Sequence, residues 1–257
     1  MPRVGIEPTL LAERDFESRA STNFATEAGA AEGAILPQPS GQPEQTGYAC
    51  GFIHSAQRMP PIPPITQFLM LACTAFFCLE QLGAAGNLLV TWLALFPVKS
   101  SLFWPWQLVT YAFLHADTLH LFFNMLALWM FGSELELLWG RKRYMAFLAM
   151  GALFGGLTYM VVTALLGVSS ALVGFSGAIY ALLLASALLF PTRTIMPLFP
   201  PIPMKMITFV IVFGVIALVM GVSGTDYGAL AHLGGMLGGW ITMRYWRGQP
   251  PFGTRRR

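Results

Sequence analysis

The stretch MAFLAMGALFGGLTYMVVTALLGVSSALVGFSGAIYALLLASALLFPT, running from Met145 to Thr192, decides the fold class. Its 48 residues include no Asp, Glu, Lys or Arg. A helix that crosses a bilayer needs ~20 predominantly apolar residues, so the stretch holds two, divided at Gly167-Val-Ser-Ser170. The whole chain agrees with it. Of 257 residues, 55% are hydrophobic and 11% charged, where an average soluble domain carries ~25% charged residues. Mean hydropathy is +0.61. That is too little charge to cover the surface of a soluble protein of this size. The expected class is an all-α, polytopic membrane protein. A soluble enzyme, a disordered protein and a nucleic-acid-binding domain are excluded.

Working outward, six apolar segments are expected as spans: Ile65–Leu82, Leu119–Trp139, Tyr144–Leu166, Leu172–Phe190, Met206–Val222 and Tyr227–Trp246. Ten basic residues fall on one side of this arrangement: Arg141, Lys142, Arg143, Arg193, Lys205, Arg244, Arg247 and Arg255 to Arg257. The other side has Lys99 with the acids Glu80, Asp117 and Asp226. Short loops rich in Lys and Arg stay cytoplasmic, so both termini are expected in the cytoplasm. Gly83 to Thr118 is too apolar for an ordinary loop, yet Pro97, Lys99 and Pro105 interrupt it. With its tryptophans it reads as a large, half-immersed first loop on the extracytoplasmic side. The alternative, a seventh span, would put the C-terminal arginines on the wrong side.

Residues 1–58 are of another composition, rich in Glu, Ser, Thr, Gly, Ala, Pro and Gln, and read as a disordered tail. Glu7, Glu13, Asp15 and Glu17 stand where a signal peptide needs apolar residues. Val4-Gly-Ile-Glu-Pro-Thr-Leu10 resembles peptides produced when a tRNA gene is translated, which points to Met59 as the true start, the alternative being a genuine tail. Residues 59–247 are then the membrane domain and 248–257 a basic cytoplasmic tail. The absence of a targeting pattern points to a bacterial inner membrane. Cys50, Cys73 and Cys78 give neither a disulfide framework nor a metal spacing; Cys73 and Cys78 are expected to pack between helices.

Polar side chains inside spans are costly and therefore functional candidates. His115 and His120 lead into the second span, and His232 begins the sixth. Asn124 is four residues beyond His120, on the same helix face. The fourth span carries Gly174-Phe-Ser176-Gly177, with Tyr180 one turn on. Each has an ordinary explanation alone: a serine bonding its own helix, an asparagine joining two helices, glycines serving close packing. Together they place a serine, histidines and an asparagine at one depth on three helices. A Ser–His pair performs acyl transfer by passing the hydroxyl proton to the imidazole. The tetrahedral intermediate then needs donors for its oxyanion, for which His120, Asn124 and the Ser176 N–H are candidates. His232, Gly235 and Gly239 share one face, so the fourth and sixth spans can approach closely.

These residues resemble the rhomboid intramembrane serine proteases of the bacterial six-span type. His115-Ala-Asp-Thr-Leu-His120-Leu-Phe-Phe-Asn124 is similar to the family's His/His/Asn signature, and Gly174-Phe-Ser176-Gly177 to its GxSG nucleophile motif. Ala231-His232-Leu-Gly-Gly235-Met-Leu-Gly-Gly239 resembles its AHxxGxxxG block, and Glu136 to Tyr144 its ExxxGxxR[FY] stretch. The resemblance implies a six-transmembrane-helix bundle and a catalytic Ser176–His232 dyad without an acid. It implies His120 and Asn124 at the oxyanion, Tyr180 packed on the catalytic histidine, and His115, Gly174, Gly177, Gly235 and Gly239 in support. Asp226 is expected to be a loop residue. Substrates would be membrane proteins cut in or near a transmembrane segment. The implied partners are those proteins and the lipid bilayer, not nucleic acid, and no metal or cofactor is implied. One departure is Trp106-Gln107, where the family often has Trp-Arg. The rival readings are an inactive rhomboid-like protein that only binds membrane proteins, and a small transporter, which would predict inverted repeats that the sequence lacks.

Overall fold

Each of the six apolar segments is helical, and local sequence sets where the helices begin and turn. The computed structural model describes residues 62–198 and 201–249. The tail 1–58, Met59, Cys50 and the arginines from Arg255 to Arg257 lie outside the described residues. Helix α1 (Pro64–Glu80) has proline at its first position, where a missing N–H costs nothing. The first loop holds α2 (Ala84–Leu93), the single turn α3 (Gln107–Thr110) and a 3₁₀ turn, Tyr111–Phe113. Helix α4 (Thr118–Ala127) starts at Asp117, whose carboxylate accepts the His120 N–H at 2.8 Å. It passes through a π-helical turn, Leu128–Gly132, into α5 (Ser133–Leu166). Then follow α6 (Ser176–Leu189), α7 (Met206–Val222) and α8 (Ala229–Trp246). Between α6 and α7, β1 (Thr194–Ile195) pairs antiparallel with β2 (Met204–Lys205).

The helical stretch Thr118–Leu166 is long and apolar enough to cross a membrane, but it is not one rod. Gly140 sits at φ 75°, ψ 161°, outside helical conformation. Residues 132 and 144 would be ~18 Å apart along a straight helix, yet a side-chain atom on Gly132 would meet the Tyr144 hydroxyl. Trp139 and Phe147 rings also meet, tilted by 57°, with centroids 4.8 Å apart. The chain therefore reverses at Gly140, at the boundary expected between the second and third segments.

Two expectations need correction. The fourth helix starts at Ser176, not near Leu172, because Leu172 is held extended in an antiparallel bridge with Leu95 through hydrogen bonds of 2.9 and 3.0 Å. Cys73 packs in the core as expected, but Cys78 lies on the exposed face of α1. In the first loop, Gln107 is fully buried and acts as the centre of a backbone network. Its amide donates to the carbonyl of Leu102 at 2.9 Å and to those of Thr91 and Trp92, and its carbonyl oxygen accepts from Trp104 and Phe96 N–H. A neutral amide, which both donates and accepts, thus braces the loop where the family pattern has arginine.

α6 is the buried centre: Ala178, Ala181, Leu182, Ala185 and Ala187 are fully enclosed. It packs on α5, α7 and α8. α8 presents two adjacent glycine rows. A Cβ on Gly234 or Gly238 would come within 2.6–2.7 Å of Thr158 or Phe154 on α5, and one on Gly235 or Gly239 would meet Gly177 or Ala181 on α6. Outward surfaces are apolar, with Leu165 79%, Val222 74% and Leu137 71% exposed. Such faces in water would mark aggregation or an interaction surface; facing acyl chains they need no partner.

Candidate active site

The hydroxyl of Ser176 lies 2.8 Å from Nε2 of His232. Three local features create that approach. Ser176 is the first residue of α6, so its N–H belongs to the orphan donors of a helix N-terminus, where the helix dipole is positive. Gly235, three residues beyond His232, has no side chain to keep α8 off the Gly177 carbonyl of α6. Tyr180 lies one turn after Ser176, and its ring stacks on the His232 imidazole with centroids 4.2 Å apart and planes 7° apart. That stacking fixes the imidazole plane with Nε2 toward the serine. His232 Nδ1 is buried and has no hydrogen-bond partner, so no carboxylate stands behind the ring. Asp226 is a loop residue, its side chain accepting the Gly228 N–H at 2.8 Å just before α8.

The second group comes from the start of α4. The Asp117 cap places His120 in the first turn, and Gly174 receives it: a Cβ at Gly174 would lie 2.5 Å from the His120 ring. Gly174 also has φ +119°, a conformation that side chains rarely adopt. Asn124 follows one turn below His120; it is 5% exposed and its side-chain NH₂ has no partner. His115 is 2% exposed, edge-on to His120 with ring centroids 5.2 Å apart, and both its ring nitrogens lack partners. Burial, and after it the neighbouring His120, hold the His115 imidazole below its ordinary pKa range, so it is neutral at pH 7.

An open cleft of about 520 Å³ reaches Ser176, His232 and His120. Its walls include Tyr159, Ser170, Asp117 and Asp226, but neither Asn124 nor His115. The structure thus gathers Ser176, His232, Tyr180, His120 and Gly174 at one place, packs His115 against His120, and leaves Asn124 buried off the cleft wall. Gly177, Gly235 and Gly239 line the α6–α8 contact. Among the described residues, no group of three or more His, Cys, Asp and Glu side chains is placed to hold a metal ion.

Several supporting residues were not singled out by motif or spacing. The Tyr111 hydroxyl donates to the Ala152 carbonyl at 2.8 Å, while its own carbonyl accepts the Gly174 N–H at 3.0 Å. It ties the extended segment before Ser176 to α5. Tyr159 bonds Ser170 through the carbonyl at 2.7 Å and the hydroxyl at 3.0 Å, closing one wall of the cleft. Glu80 accepts the His115 N–H at 3.3–3.4 Å. A tyrosine inside an uncharged span is the signal that Tyr159 offered; Tyr111 and Glu80 carried none beyond their polarity.

A Rhomboid domain model matches residues 103–248. The chain is 31% identical over 120 residues to the rhomboid protease GlpG of Yersinia enterocolitica, which covers 47% of this chain and 41% of that protein. It is 30% identical over 121 residues to the proteins of the same name from Yersinia pestis and Yersinia pseudotuberculosis. The match spans about two fifths of the length of these curated relatives (41%).

Proposed function

The chain belongs to the rhomboid family of integral membrane proteins, and from that premise we propose that it is an intramembrane serine endopeptidase working through a Ser176–His232 dyad. The observation that carries this reading is the 2.8 Å contact between the Ser176 hydroxyl and His232 Nε2 at the cleft. For Nε2 to accept the serine proton, the ring's own proton sits on Nδ1, the nitrogen that has no partner. Ser176 Oγ attacks the carbonyl carbon of the scissile peptide while its proton passes to Nε2. The carbonyl oxygen becomes an oxyanion, stabilised by the Ser176 N–H at the α6 terminus and by His120. Asn124, with its unpartnered side-chain NH₂ one turn along the same helix, is a further donor. The C–N bond then breaks, the amine leaves with the proton from Nε2, and an acyl-enzyme remains on Ser176. Water repeats the sequence, releasing the acid and restoring the hydroxyl.

The substrates are membrane proteins cut in or near a transmembrane segment. Carbonyls of an intact helix are already bonded, so segments with glycine, proline or other poor helix formers beside the cleavage site are preferred. Residues 59–247 form the membrane domain. The helix order and the arginine distribution support six spans, a half-immersed first loop and cytoplasmic termini, in a bacterial inner membrane. At ten residues α2 covers ~15 Å, half a hydrocarbon core, which favours the loop over a seventh span. The test is labelling of the purified chain by a fluorophosphonate probe, expected for the unmodified protein and absent in Ser176→Ala. No labelling of the unmodified protein would leave a rhomboid-like protein that binds without hydrolysis.

A further inference from the structure

The cleft that reaches Ser176 carries charge of one sign. Its wall includes Asp117 and Asp226, and among its lining residues there is no Lys or Arg. Lys99, the basic residue of the first loop, sits elsewhere, its ammonium turned to the Ala164 carbonyl at 3.5 Å. Both carboxylates are held in place by one oxygen: Asp117 accepts the His120 N–H and Asp226 the Gly228 N–H, each at 2.8 Å. They are therefore fixed rather than free to swing away, and each keeps a second oxygen. Neither the Asp117 cap nor the Asp226 loop contact explains the charge, since an asparagine oxygen accepts an N–H in the same way. A peptide whose carbonyl reaches Ser176 enters a cleft whose wall holds both groups.

We infer that Asp117 and Asp226 select substrates by charge, favouring a Lys or Arg beside the scissile bond and disfavouring Asp or Glu there. This rests on the endopeptidase reading. It adds a restriction that the dyad does not impose. Basic residues are scarce on the translocated side of membrane proteins, so such a preference narrows the substrate set sharply. Both carboxylates are exposed, so the effect is that of surface charge pairs: modest in size and weakened by salt.

The experiment uses the full chain in liposomes with three versions of one model transmembrane substrate, carrying Lys, Gln or Asp immediately after the cleaved bond. The reading is the ratio of kcat/KM for the Lys and Asp versions within each enzyme, so changes in overall rate cancel. The unmodified protein is expected to prefer Lys over Asp by about tenfold at low salt, with Gln between. The ratio should fall toward one in Asp117→Asn/Asp226→Asn, where each side chain keeps an oxygen to accept the His120 or Gly228 N–H. It should fall likewise in the unmodified protein near 1 M salt, where the Debye length is ~3 Å; this arm needs no variant to fold. Equal cleavage of all three versions, or a ratio that neither salt nor the double substitution moves, overturns charge selection and leaves serine hydrolysis standing. Failure to cleave any version overturns the hydrolase reading and this inference with it.

Discussion

At the scale of single residues, the site separates side chains that make and break bonds from those that hold them. In the proposed mechanism Ser176 and His232 act as one unit, so Ser176→Ala and His232→Ala should each reduce cleavage to background, and the double variant should be no worse than either. A double variant tenfold slower than both singles would contradict a shared step. His120 lies on the cleft, and Asn124 is buried away from its wall. Loss of one oxyanion donor typically costs ~10²–10³ in kcat, so His120→Ala should show that loss and Asn124→Ala a smaller one, both measured on a model substrate. The reverse order would mean that Asn124 turns into the cleft when substrate binds. Tyr180 contributes its ring rather than its hydroxyl. Tyr180→Phe should cleave near the normal rate and Tyr180→Ala should lose kcat more than KM, because the imidazole plane is no longer fixed. Most of these residues could be read from the sequence, since a serine, three histidines and an asparagine are conspicuous against apolar spans. Tyr111, Gln107 and Glu80 could not. They act by bonding backbone groups distant in sequence, and nothing in the spacing of a sequence reports where a distant carbonyl will lie.

At the scale of elements, hydropathy located all six helical segments, because each must bury or expose apolar surface along its whole length. It misjudged the start of α6 by four residues, since Leu172 is as apolar as its helical neighbours and only the bridge to Leu95 holds it extended. It also missed that Cys78 faces outward, a matter of which neighbour covers α1 rather than of composition. The glycine rows of α8 were legible, and they set the distance on which the dyad depends. Gly235→Leu should abolish cleavage while the protein still inserts, because a side chain there meets the Gly177 carbonyl and forces α8 from α6. Displacements of ~1 Å can cost ~10²-fold. Normal turnover by a folded Gly235→Leu variant would show that this contact does not set the dyad. Gly174→Ala is the sharper companion, combining positive φ with collision against His120; it should slow acylation, read as slower probe labelling.

At the scale of the whole molecule, the charges at the two ends of the bundle differ. Arg141, Lys142, Arg143, Lys205 and Arg247 lie at one end, and the cleft with Asp117 and Asp226 at the other. In the proposed orientation the cleft and Ser176 face the extracytoplasmic side, where water can reach them. All the proposed chemistry lies between His115 and Gly239, so removal of residues 1–58 should leave cleavage of a model substrate unchanged; loss of insertion or activity would assign that tail a part in folding. The central claim is that this molecule cuts peptide bonds of membrane proteins with Ser176. The direct measurement reconstitutes the full chain in liposomes with a single-span substrate bearing a helix-breaking residue near its extracytoplasmic end, and identifies the products by mass spectrometry. One cut within or beside the span is expected for the unmodified protein and none for Ser176→Ala. Cleavage that persists in Ser176→Ala, or no cleavage by a folded, unmodified chain, would contradict it.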